Sequence, residues 1–269
     1  MIYIVGGRGL VGSGLVRYAE HKALEFRVIQ RENKHEFLGT SCDVLVYAAG
    51  NPFKYKAAED PYFDFQESLS SVAEYVHGLD HCVFAHISSV DVYSDTSSYE
   101  TTAESAVIDV NRLSPYGYHK YLAEGYVRRF CSSHLIFRLP GLVGPGLKKN
   151  PAYDFMHSEK QVMISAESRL NFIHTDIVAE SIFSIIDKSL TGETFNLGSR
   201  DEIRIGDIKD VVGFDSDYTV EAGNYLQTYR FNCDKIQDFC KLPTSEESLA
   251  AYATDIGIPC IRESSRGAE

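Results

Sequence analysis

The stretch Tyr3 to Val16, YIVGGRGLVGSGLV, constrains the fold more than any other in the chain. An apolar run, Ile2 to Val5, meets glycines spaced GxxGxxG, and an apolar-periodic stretch, Leu10 to Ala23, follows with no proline to break it. The order is strand, tight turn, helix. Gly6 permits the turn, Gly9 lets backbone approach a pyrophosphate, and Gly12 lets the helix pack on the strand. Backbone N–H groups at Leu10 and Val11, with the helix dipole, then face an anion. The turn is read as a dinucleotide site.

Short runs rich in Val, Ile and Phe recur at Phe26 to Ile29, Val44 to Ala48, Val83 to Ile87 and Leu135 to Leu139. Helix-like stretches separate most of them: Leu10 to Ala23, Tyr62 to His77 and Tyr116 to Cys131. This alternation predicts an α/β fold, a Rossmann-like doubly wound parallel sheet with helices on both faces. After Pro140 the pattern changes. GLVGPGLKKN is loop-rich, Ile177 to Ile186 is helical, GETFNLGS is a short strand and turn, and helices are expected at Ile205 to Val212 and Ser245 to Tyr252. The expected division is a dinucleotide-binding domain of residues 1–140 plus 171–198, and a small, discontinuous substrate domain of residues 141–170 plus 199–269. The tail RESSRGAE is expected to fray.

The net charge of −12 opposes nucleic acid and anionic membrane, so a phosphate ligand must be held by local donors. No window nears the roughly 18 to 20 apolar residues that cross a bilayer. The six cysteines are scattered without a CxxC pair, as suits reduced thiols in a cytoplasm. No defensible metal-ligand spacing is found among the histidines and acids.

The end of the second strand decides which dinucleotide is bound. An Asp or Glu there accepts hydrogen bonds from the adenosine ribose and repels a 2′-phosphate, whereas this chain has Gln30 and Arg31. Arg8, inside the glycine turn, supplies a second guanidinium for the same phosphate. NADP is therefore expected, with NAD as the alternative. An unliganded surface charge is the bland reading of either arginine.

FAHISSVDVYS, Phe84 to Ser94, is an apolar strand ending in two hydroxyls, and SPYGYHK, Ser114 to Lys120, opens a helix. Tyr116 and Lys120 lie one turn apart on the same face. A phenol beside an ammonium is a tunable proton donor: lowering its pKa from about 10 to 7 takes about 4 kcal/mol, expected from Lys120 and an oxidised nicotinamide. Ser89 is placed to hold the substrate oxygen. A lone YxxxK is common and is ordinarily a packed Tyr and a solvated Lys.

GGRGLVG, ISSVDVY, YGYHK, FRLPGLVGPG, NFIHTDIVAESI and GETFNLGS, in that order, resemble the extended short-chain dehydrogenase/reductases of the nucleotide-sugar epimerase, dehydratase and reductase group. The likeness covers roughly residues 1–200, and loosely TSEESLAAY beyond them. It implies that Ser89, four residues before Tyr93, binds the reacting oxygen, which selects it over Ser88. It further implies that Tyr116 is the proton donor or acceptor, and that Lys120 binds the nicotinamide ribose and lowers the Tyr116 pKa. Asp91 occupies the position of an extra acid or base. Cofactor contacts are implied at Ala48, Ala49 and Pro140 as well. The turn is most similar to that of NADP-dependent GDP-fucose synthases, where the arginine before the second glycine meets the 2′-phosphate. A homodimer through the Tyr62 to His77 and Tyr116 to Cys131 helices is implied by the same analogy.

Two departures stand out. Glu32 to Asp43 is too short for the further helix and strand that the family fits there, so the sheet is expected to be a strand short. The family's RDF reads RLNF, which displaces Arg169, a candidate for substrate phosphate, by one place. Lys148 and Lys149, after GPG, are equally readable as pyrophosphate ligands or as a solvated loop. His174 and Asp176 are read as structural, with Asp176 or Thr175 capping a helix, and His119 as a surface residue.

The expected function is an NADP-dependent reductase of a nucleotide-linked 4-keto-6-deoxy sugar, with or without epimerisation beside the ketone. The alternatives are an NAD-retaining nucleotide-sugar epimerase and, from another class, a non-catalytic dinucleotide-binding regulatory protein.

Overall fold

Each apolar run expected to be a strand is one. The computed structural model describes residues 1–157, 164–212 and 225–258. Its first half runs β1 (Ile2–Val5), α1 (Leu10–His21), β2 (Phe26–Ile29), β3 (Ser41–Tyr47), α2 (Lys54–Glu59), α3 (Pro61–Phe65), α4 (Ser71–Gly78), β4 (Asp80–Ser89), α5 (Pro115–Phe130) and β5 (His134–Leu139). A π-helical turn, Gln66–Ser70, joins α3 to α4, so the expected Tyr62 to His77 helix is continuous. The second half holds β6 (Gly141–Val143), α6 (Pro151–Met156), β7 (Arg169–Leu170), β8 (Phe172–His174), α7 (Thr175–Asp187), β9 (Glu193–Asn196), β10 (Ile203–Arg204), α8 (Ile208–Val212), α9 (Asp234–Gln237) and α10 (Ser245–Asp255).

The main sheet is parallel throughout, in the order β2-β1-β3-β4-β5-β9. Strand alternation feeds two cores. Ile4, Val46, Ala85 and Phe137 face α1 and α7, burying Leu15, Ala19, Val178 and Ile182. Tyr3, Val5, Leu45, Phe84 and Ile136 face α4 and α5, burying Val72, Val76, Ala123 and Val127. Both faces are covered, as parallel sheets require. The chain leaves β1 toward β2 on one side and β3 on the other, so the crevice outside the carboxyl ends of β1 and β3 is the switch point where such folds bind ligands.

β2 is the edge strand, because a single 3₁₀ turn, Lys34–Glu36, is all that separates it from β3. Among the described residues no strand lies beyond β2, in line with the short Glu32 to Asp43 connection.

A third core gathers Val143, Phe155, Leu170, Phe172, Ile205, Ile208, Leu249 and Tyr252. The described residues of the stretch expected to join it, residues 199–269, divide between two cores. Phe231, Cys233, Ile236 and Leu242 are buried with the α1–α7 core instead. GLVGPG is also more regular than expected: Gly141–Val143 pairs in parallel with Phe172–His174. Cys42, Cys82, Cys131, Cys233 and Cys240 are unpaired. Cys260 and the RESSRGAE tail lie outside the described residues.

Candidate active site

A cleft of about 1040 Å³ opens over the carboxyl ends of β1, β3, β4 and β5, at the upper end of the size range of small-molecule sites. Gly6, Gly9, Leu10 and Val11 line one part of it, with Ala48, Ala49 and Pro140 beside them. The N-cap of α1 is Gly9, which makes no side-chain cap, so the first N–H groups of a 12-residue helix face the cleft without an internal acceptor. Gly12 lies outside the wall and serves packing: a Cβ there would stand 2.1 Å from the Gly6 carbonyl oxygen. The turn therefore fits a dinucleotide pyrophosphate.

At the far end of this groove the two arginines behave differently from expectation. Arg31 lines the cleft and Arg8 does not. Each is directed to its own carboxylate, Arg8 to Glu32 at 3.3 Å and Arg31 to Glu67 at 2.6 Å, with side chains 75% and 78% exposed. In a chain this acidic an exposed guanidinium finds a carboxylate partner close by. Gln30, in the amide orientation that satisfies both groups, accepts from the turn's backbone N–H groups of Gly7 (3.1 Å) and Arg8 (2.9 Å).

Ser89, Tyr116 and Lys120 come together at the other end. Ser114 caps α5 by accepting from the Gly117 N–H at 3.1 Å, and Pro115 takes the first helical position, which sets Tyr116 in the opening turn and Lys120 one turn on. A Cβ on Gly117 would stand 2.1 Å from the Asp91 carbonyl oxygen, so helix and strand end touch backbone to backbone. Gly117→Ala is accordingly expected to lower stability by about 1–3 kcal/mol and to cut turnover, since Tyr116 would be pushed off the Ser89–Asp91 turn. A thermal melt and an activity assay check both effects.

The adjacent serines have opposite fates. Ser88 donates to the buried Glu124 at 2.6 Å, whereas Ser89 donates to Asp91 Oδ2 at 2.7 Å and accepts from the Asp91 N–H at 3.2 Å. Glu124 also receives Arg138 through two bonds, 2.9 and 2.7 Å, and Arg128 at 2.8 Å. Burial would raise the Glu124 carboxyl, but the guanidiniums and Ser88 outweigh it and hold it below the usual range.

Asp91 also accepts from the Tyr229 hydroxyl at 3.1 Å and contacts the Lys54 ammonium. Burial would raise its pKa, but Lys54, Ser89 and Tyr229 together hold it below the ordinary carboxylate value. Lys120 is 6% exposed and donates to the Ile87 carbonyl at 3.3 Å. Burial pulls its pKa down to about 8 against the attraction of Asp64, Glu124 and Asp91.

For Tyr116 the downward shift is expected from Lys120 together with an oxidised nicotinamide, and the free protein shows the other forces on the phenol. Its pKa is raised, not lowered: burial dominates, the Asp91 and Asp64 charges add to it, and a hydrogen bond with Ser89 opposes them only in part. The two carboxylates close behind the phenol were not legible as its neighbours. Burial and the two carboxylates thus favour the protonated phenol in the free protein.

Asp64 and His119 form a buried pair missed from the sequence, with Nδ1 and Oδ2 2.6 Å apart, and Asn51 and Ser68 also donate to Asp64 at 2.8 and 3.1 Å. His119 is 9% exposed, not a surface residue, because its side of α5 faces α3. Lys54 and Tyr229 were missed as well.

Of the candidate substrate ligands, Lys149 lines the cleft, its ammonium 5.0 and 4.6 Å from the ring centroids of Phe53 and Tyr55. Lys148 and Arg169 lie outside the wall. Arg169 alternates with Leu170, which is buried and faces the cleft, so strand parity turns the arginine to the exposed side. His174 is structural: its Nδ1 accepts from the Asp176 N–H at 3.2 Å and caps α7, and its Nε2 lies 2.8 Å from Asp255. It thus takes the capping role expected of Asp176 or Thr175. No cluster of metal ligands, and no helix long and apolar enough to cross a membrane, occurs among the described residues.

A doubly wound sheet, an uncapped glycine-turn helix and a Ser, Tyr, Lys cluster in one cleft define a nicotinamide-dependent enzyme of the short-chain dehydrogenase/reductase type. The chain belongs to the NAD dependent epimerase/dehydratase family, whose model matches residues 2–198. Solved structures of the same fold include a UDP-galactose 4-epimerase, at 21% identity and a TM-score of 0.75, over 95% of this chain and 98% of that one. RMD from Pseudomonas aeruginosa, solved with NADPH, is similar at 17% identity and a TM-score of 0.76, over 95% and 99%. The UDP-glucuronic acid 4-epimerase from Bacillus cereus, solved with UDP-glucuronic acid and NAD, is similar at 16% identity and a TM-score of 0.75, over 95% and 98%.

Proposed function

We propose that this enzyme is an NADP-dependent reductase of a nucleotide-linked 4-keto-6-deoxy sugar. The observation that carries the reading is Tyr116 grouped with Ser89 and Lys120 in one cleft, since reduction of a carbonyl needs a proton donor and a hydrogen-bond partner at the carbonyl oxygen. A nicotinamide dinucleotide held by the glycine turn, Ala48, Ala49, Pro140 and Lys120 supplies the hydride.

Tyr116 gives its proton to the substrate oxygen, and Ser89 hydrogen-bonds that oxygen, turning its hydroxyl from Asp91 as the substrate enters. Lys120, a cation below a pKa of about 8, stabilises the phenolate left behind. Asp91, ionised, can take a proton but not give one, so any epimerisation beside the ketone uses it as the base. The lobe built around the third core, with Lys149 at the cleft, takes the nucleotide. Tyr62, Phe65, Tyr118 and Phe130, exposed on α3 and α5, support the pairing of two copies through that face.

One observation favours a second reading, the NAD-retaining nucleotide-sugar epimerase. Arg8 and Arg31 are both spent on carboxylates, and Glu32 and Glu67 would repel a 2′-phosphate. Fluorescence titration with NADPH and NADH decides between them. NADPH binding at least tenfold tighter, a difference of about 1.4 kcal/mol, is the expected result, and equal or tighter NADH binding puts the epimerase first.

A further inference from the structure

Lys54 has no part in the mechanism above, yet it stands at the reacting end of the cleft. It belongs to the first turn of α2, its side chain is 58% exposed, and its ammonium contacts Asp91 Oδ2. The same nitrogen lies 5.8 Å from the ring centroid of Tyr116 and 5.9 Å from that of Tyr229. Asp91 itself is 11% exposed, and it takes Ser89 on Oδ2 and Tyr229 on Oδ1.

The unused valences of this pair point to a ligand group. An ionised carboxylate has about four acceptor positions and an ammonium three donors. Lys54, Ser89 and Tyr229 fill three of the four, which leaves an acceptor position on Oδ1. Lys54 spends one donor on Asp91, and its exposure leaves the others open to the cleft. A donor and an acceptor stand side by side, within reach of the position that Ser89 and Tyr116 flank. A sugar hydroxyl, which donates and accepts at one atom, fits so small a space. The Tyr116 and Tyr229 rings on either side supply flat apolar faces for the C–H groups of a sugar ring.

Resting on the nucleotide-sugar reading, we propose that Lys54 and Asp91 together bind the hydroxyl on the carbon next to the reacting carbonyl. For a 4-keto sugar this is the C3 hydroxyl. Lys54 is then a specificity-determining residue: it selects sugars that carry this hydroxyl over those that lack it.

Calorimetric titration of the full chain, saturated with the dinucleotide it prefers, tests this. The probes are UDP-glucose, UDP-3-deoxyglucose and UDP, with the dTDP series alongside. The protein is expected to bind the glucose nucleotide about tenfold more tightly than its 3-deoxy analogue, the size of a hydrogen bond to a charged group. Lys54→Met should bring the two to equal affinity and leave the nucleoside diphosphate within about twofold. If Lys54→Met keeps the ratio of the unsubstituted protein, the assignment of Lys54 is wrong while the nucleotide-sugar reading stands. If the unsubstituted protein binds neither series of sugar nucleotides better than the bare diphosphates, that reading fails and this assignment falls with it.

Discussion

Replacing Tyr116 with phenylalanine lowers carbonyl turnover by about 10²–10⁴-fold, the range spanned by a general acid, and changes dinucleotide affinity by no more than a few fold. The substitution removes one oxygen and leaves the ring, so the contact with Lys54 and the packing of the first turn of α5 persist. The loss should fall on kcat more than on KM, because the phenol is required in the transition state. Steady-state kinetics with a 4-keto sugar nucleotide, together with a dinucleotide titration, separate the two effects. Unchanged turnover would remove Tyr116 from the mechanism. Ser89 and Lys120 would then have to act without the phenol between them and the substrate oxygen.

The second large effect is on stability. Glu124 is fully buried and neutralises Arg138, itself 2% exposed, while also holding Arg128 and Ser88. Glu124→Ala leaves the Arg138 guanidinium without its carboxylate, and breaking a buried pair on one side costs about 3–5 kcal/mol. In a chain of this size, that lowers the melting temperature by roughly 6–20 °C. The ion pair also carries a pH dependence of definite sign. The Glu124 carboxyl is held below its ordinary value of 4.5, so its contribution is complete above that pH and is lost as the pH falls through the lower, folded-state value. Melting curves of Glu124→Ala and of the unsubstituted protein, recorded at neutral pH and again in acid, should converge at low pH. Curves that stay parallel would show that the carboxylate is not what Arg138 depends on.

Local features of the sequence carried most of the fold. The strands were legible because parallel strands buried on both faces read as short apolar runs, and the glycine turn because its spacing reflects close approach of backbone to backbone. Tyr116 and Lys120 were legible because a helical turn relates them. What escaped reading came from side chains brought together by tertiary structure. Lys54 and Tyr229 reach Asp91 from segments 37 and 138 residues away in the chain, and no spacing announces such contacts. Asp64 belongs to the same group, and its charge, with that of Asp91, adds to the burial that chiefly shifts the Tyr116 phenol upward in the free protein. The outward turn of Arg169, by contrast, was available from the apolar residue beside it, since neighbours on a strand face opposite ways. The two arginines marked a charged rim, but the partner of Arg31 is Glu67, a whole crossover away, while Arg8 meets Glu32.

The neighbouring serines of β4 have a consequence for how this protein can change. Ser88 is tied to the ion pair under α5 and Ser89 opens on the cleft, and the difference between them is only odd against even along one strand whose register is set by β3 and β5. A deletion or insertion of one residue within β4 would take one of the two roles from each serine in a single step. An insertion before the pair would present Ser88 to the substrate and carry Ser89 one place past it, whereas a deletion would turn Ser89 toward Glu124 and leave Val90 at the cleft. Chemistry and folding therefore share one register, and the length of this strand cannot drift ahead of the cleft without moving Ser89 from its place.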